Sequence, residues 1–137
     1  VALGRMDEVR SRYTNILTIS NRIPMPIPSE IIALIERLNQ EFNQTEQEAT
    51  DALNIVRRNL SFFPNNVIMT QYFAYLNTIL FSVETYKRQV QAMVEIISPT
   101  DVPAEVIQEA GEDLGNLLGR AIESKMAVRR IISRLEG

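Results

Sequence analysis

The 137-residue chain contains no cysteine, no histidine and no tryptophan. Without cysteine there is no disulfide, no thiolate metal site and no thiol nucleophile. Without histidine the commonest general base and the commonest transition-metal ligand are both missing. A Ser-His-Asp triad is excluded, and so is a ferritin-like di-iron site of the usual form, which draws on Glu-x-x-His pairs. An all-carboxylate Mg²⁺ or Ca²⁺ site survives these exclusions, but no Asp-x-Asp-x-Asp-Gly run marks one. Neither a nucleophile–base pair nor a phosphate-cradling loop is visible, so the chain is expected to be a non-enzyme with no cofactor and no metal.

Long apolar runs are missing too. The stretch from Leu60 to Val83 carries no formal charge, but Pro64-Asn65-Asn66 interrupts it, and Gln71 and Asn77 lie inside it. A spanning helix needs about 20 mainly apolar residues. At the N-terminus Arg5, Asp7, Glu8 and Arg10 stand where a secretory leader would be apolar. No membrane span and a cytoplasmic location are therefore expected. An excess of positive charge is also absent: 14 Lys and Arg stand against 17 Asp and Glu, a net charge of -3. That balance disfavours a general nucleic-acid coat and leaves room for a local basic patch.

What remains is an ordinary globular composition, 45% hydrophobic and 23% charged, long enough for one domain over residues 1–137 with its own core. Three breaks punctuate it: Pro24-Met25-Pro26-Ile27-Pro28, Phe63-Pro64-Asn65-Asn66, and Ser98 to Pro103. Proline lacks the amide donor and restricts the residue before it, so no helix crosses these stretches. The segments between them have helical periodicity, over about 3–20, 29–60, 66–97 and 103–135. Their apolar stripes are Leu3, Met6, Tyr13, Ile16 and Leu17; then Ile31, Ile35, Leu38, Phe42, Thr45, Ala49, Leu53, Val56 and Leu60; then Tyr72, Leu76, Ile79, Val83, Tyr86, Val90, Met93 and Ile97; and finally Val106, Ala110, Leu114, Leu117, Ala121, Val128, Ile131 and Leu135. The third stripe alternates steps of four and three, as the seam of a coiled-coil-like bundle helix does. Ser29 suits an N-cap, with Glu30 at the positive end of the dipole. Short connections between long helices predict an all-α, antiparallel up-and-down bundle of three long helices plus a shorter N-terminal helix.

Two features suggest an interface. In the first half of the third segment Val67, Ala74 and Phe81 recur seven apart opposite the seam, with Phe73 and Leu80 flanking it; the matching faces further on read Lys87, Arg88 and Gln89. A helix apolar nearly all round is covered on every side. The cover here is the N-terminal helix of the same chain, a second copy or another protein. Gly111, Gly115 and Gly119 recur every four residues in the last segment, although interior glycine disfavours a helix. They predict a kink or a close backbone approach, with Tyr86 or Phe81 lying over the glycine face. Phe73, Ala74, Leu80, Phe81, Gly111, Gly115 and Gly119 form the expected partner interface, in a protein-interaction module or small adaptor that associates as a homodimer.

The alternative rests on charge. Arg57 and Arg58 end the second segment, and Lys125, Arg129, Arg130 and Arg134 line the end of the fourth. Bundle packing would gather them at one pole, as an anion site for an accessory subunit that binds nucleic acid or another polyanion. No aromatic residue is interleaved with them in sequence, which weakens the base-stacking version. The acidic runs Glu41, Glu46, Glu48, Asp51 and Glu105, Glu109, Glu112, Asp113 are expected to be solvated faces.

Overall fold

The computed structural model describes residues 27–137, in which three α-helices pack against one another: α1 (Ser29–Phe62), α2 (Val67–Ile97) and α3 (Ala104–Glu136). No strand occurs among the described residues. The expected N-terminal helix over residues 3–20 lies outside them. Among the described residues no helix is long and apolar enough to cross a membrane.

The helix starts follow from local chemistry. Asn66 caps α2 with its side chain, whose oxygen accepts the Met69 N–H at 3.1 Å. Ser29 does not cap α1. The cap position is Pro28, whose φ of -62° and ψ of 148° are proline's own preference, and no side chain bonds there. The Pro28 carbonyl accepts from the Ile31 and Ile32 amides at 3.1 and 3.2 Å, which places Ser29 already inside the first turn. Pro103 starts α3 in the same way, its carbonyl accepting from Val106 and Ile107. α1 runs on to Phe62 before Pro64 ends the pattern, and the Phe63 amide closes the last turn on Asn59 at 2.8 Å.

The core is the meeting of the three stripes. Leu38, Phe42, Thr45, Ala49 and Val56 of α1 have no exposure at all. They meet Leu76, Val83 and Ile97 of α2 and Val106, Ala110, Leu114, Ala121 and Val128 of α3, which are also fully buried. The Phe42 and Tyr86 rings stack with centroids 6.4 Å apart. α1 packs extensively on both other helices, whereas α2 and α3 meet each other less. The partners run in a consistent order: Arg57 lies over Phe73 and Lys87 reaches Glu46, while Lys125 reaches Glu41 and Arg129 reaches Glu48.

The glycine row does not break α3, which is continuous, and no residue among those described has a positive φ. Only Gly111 sits close to a neighbour: a Cβ there would meet Ile31 Cδ1 at 3.3 Å. At Gly115 and Gly119 a Cβ would find nothing within 4 Å among the described residues. Gly115→Ala and Gly119→Ala should therefore each stabilise the bundle by up to about 1 kcal/mol, the ordinary helix-propensity difference. Gly111→Ala should gain less, because Ile31 must shift. Urea unfolding checks this, and a destabilised Gly119→Ala protein would reveal a close partner at that position.

Candidate functional site

The outer face of α2 divides near Phe81. Along one side run Ala74, Thr78, Phe81, Thr85, Gln89, Ala92 and Ile96, at steps of three and four. Ala74, Thr78 and Phe81 are exposed, Phe81 to 62%. Thr85 and Gln89 are buried, at 8% and 4%, and so is Ala92. The apolar first half, for which the N-terminal helix, a second copy or another protein was the expected cover, is therefore open at these positions in the single chain. The second half is covered on two faces and the first on one. Thr85 tolerates burial because its hydroxyl donates back to the Phe81 carbonyl at 3.1 Å.

The exposed side carries an apolar surface. Val67 and Ile68 open α2 exposed, and Phe62 and Phe63 in the preceding turn are exposed to 73% and 63%. Of these, Val67 shares a side of α2 with Ala74 and Phe81, and the three continue the exposed turn of Phe62 and Phe63 along the outside of the helix, while Ile68 is turned about 140° from Phe81.

The expected interface residues do not come together. Phe73 and Leu80 are half-buried and pack against the core, and the Arg57 guanidinium lies 5.7 Å from the Phe73 ring centre. Gly111 faces α1 through Ile31. Gly111 and Arg129 are 18 residues apart, five helical turns, so both lie on the side of α3 turned towards α1. Neither Tyr86 nor Phe81 covers the glycines: Tyr86 is stacked on Phe42, and Phe81 points outwards.

The cations differ in their partners. Lys125 Nζ lies 2.6 Å from Glu41 Oε2, both side chains largely buried, in a geometry that makes an ion contact rather than an aligned hydrogen bond. Arg129 donates to Glu48 from two nitrogens, at 2.9 and 3.1 Å. Lys87 reaches Glu46 at 2.8 Å. Glu41, Glu46 and Glu48 are thus not simply a solvated face: each holds a cation from a neighbouring helix across the polar middle of α1. Arg58 is exposed and Arg57 is engaged with Phe73. Arg130 and Arg134 have no carboxylate partner among the described residues.

Arg130 and Arg134 line a groove between α2 and α3. One recess, of about 300 Å³, is walled by Gln71, Tyr72 and Tyr75 from α2 and by Ala127, Arg130, Ile131 and Arg134 from α3. It continues through Tyr75, Ala127 and Arg130 into a second recess of about 420 Å³ that reaches Ser82, Glu123 and Ser124. Ser82, Ser124 and Ala127 are too short to close the gap between the helices. Tyr72 and Tyr75 therefore do stand beside two of the arginines, a proximity made by packing and invisible in linear order. Among the described residues no three acidic side chains gather where a metal ion could be held. No family model, curated protein or solved structure matches the chain.

The Glu48–Arg129 contact gives a pH signature. Hydrogen bonding to the guanidinium, with its positive charge, holds the Glu48 carboxyl below its ordinary value of 4.5 and outweighs the opposing desolvation. A depressed carboxylate contributes stability that is complete above the ordinary value and is lost as pH falls through the depressed one. Glu48→Gln should therefore flatten the decline of melting temperature below pH 4.5 relative to the parent. An unchanged acid limb would place the pair's contribution at nothing.

Proposed function

We propose that this chain is a non-enzymatic protein–protein interaction module, an up-and-down bundle with successive helices antiparallel, that associates as a homodimer. The order of the cross-helix partners supports the topology: along α1, Glu46 and Arg57 meet Lys87 and then Phe73 of α2. The exposed strip of Phe62, Phe63, Val67, Ala74 and Phe81 carries the functional reading. A two-fold axis lets one such strip bury its counterpart, because the same patch serves both subunits. Of the residues first expected at the interface, Ala74 and Phe81 belong to this strip. Phe73 and Leu80 support it from the core side, and the glycine row is not required. The proposal includes a cytoplasmic location, to be read by cell fractionation.

A second reading, an accessory subunit for nucleic acid or another polyanion, has one observation in its favour: Tyr72 and Tyr75 lie beside Arg130 and Arg134. The pairing of Lys125 and Arg129 with α1 removes two of the six cations on which it drew.

Light scattering on a concentration series tests the first reading. The parent protein should have twice the mass of one chain, and Phe81→Glu should have the mass of one chain with unchanged far-ultraviolet helicity. A parent that is monomeric throughout, a variant that remains dimeric, or one that unfolds because Phe81 is core would overturn it.

A further inference from the structure

We propose that the groove between α2 and α3 is a second docking site, which accepts an acidic amphipathic segment of a different protein. This goes beyond self-association, because Phe81 is not among the residues that line the groove, although Thr78 borders both the groove and the exposed strip.

The chemistry of the groove selects the occupant. Arg130 and Arg134 are four residues apart, on one face of α3 and one turn from each other. They form a pair of forked donors without a carboxylate partner among the described residues. Such a pair matches carboxylates one turn apart on an incoming helix. Ile79, Ala127 and Ile131 supply an apolar floor, and Tyr72 and Tyr75 form a wall with a polar edge. Gln71 and Ser82 are 11 residues apart, which is about 16 Å of groove, or roughly three turns of a docked helix.

Charge also rejects other occupants. Glu123 stands in the far recess, seven residues from Arg130. A phosphodiester backbone laid along the groove would meet that carboxylate, on a chain whose net charge is already -3. A peptide needs acidic residues at one end only and can present a cation to Glu123. Residues 1–26 of this chain carry Arg5, Arg10, Arg12 and Arg22 against Asp7 and Glu8, the same sign as Arg130 and Arg134. They are poorly matched to the groove.

Fluorescence anisotropy of a labelled Glu/Leu peptide, with leucines at helical spacing, its glutamates confined to one end and a lysine at the other, tests the site in the intact protein. The controls are its Lys/Leu counterpart and oligothymidylate. The Glu/Leu peptide should bind in preference to both, and R130E/R134E should weaken it by at least about tenfold. The same variant should gain affinity for the Lys/Leu peptide. Both positions are exposed, so folding should be unaffected, and the light-scattering mass should stay that of the parent. That constancy separates failure of this site from failure of the dimer reading. No binding of the Glu/Leu peptide at low salt, binding indifferent to R130E/R134E, or preference for oligothymidylate would overturn the proposal.

Discussion

Burial of one side of α1 is the constraint on which the rest of this structure depends. Leu38, Phe42, Ala49 and Val56 vanish from solvent because both other helices close on them. α1 is the helix they share, and their mutual contact is the thinner one. Where side chains between α2 and α3 are small, as at Ser82, Ser124 and Ala127, that thin contact opens into a groove. The same arrangement turns the outer side of the first half of α2 to solvent, and it is there that the chain places Phe81. A three-helix core built around one shared member thus has two surfaces with chemistry to spare, one apolar and one mixed aromatic and basic.

The polar middle of α1 would weaken such a core if its charges were left to water alone. Instead Glu41, Glu46 and Glu48 each meet a cation from α2 or α3. The more exposed of these, Lys87–Glu46 and Arg129–Glu48, contribute little stability, because solvent screens them and ordering long side chains costs entropy. Their greater effect is on register: they fix which turn of α3 lies beside which turn of α1. They also decide which cations remain available to a ligand, since Lys125 and Arg129 are engaged while Arg130, one residue on and about 100° round the helix, is not.

The helices were legible because their causes are local. Proline positions and a steady three-and-four spacing place α1, α2 and α3 to within a residue or two, and the buried stripes are nearly those that spacing selects. The Ser29 cap was misread because Pro28, one residue earlier, already has the extended geometry a cap needs. Surfaces were harder, because periodicity identifies a helix's first buried face and says nothing of the second. Gln89 reads as part of a polar face and is buried, whereas Phe81, read as an interface residue, is exposed in the single chain. The proximity of Tyr72 and Arg134 depends on register between helices far apart in sequence. No linear motif encodes it, although small residues at Ser82, Ser124 and Ala127 are a trace of it once the register is known.

The central claim is that the outside of the first half of α2 is a surface of use rather than a surface of chance. Amide hydrogen exchange at a low and a high protein concentration addresses it residue by residue. Added protection at high concentration should fall on the α1–α2 turn and on α2 up to about Phe81, leaving the second half of α2 and the glycine row of α3 unchanged. Protection that does not vary with concentration, or that increases around Gly111–Gly119 instead, would contradict it.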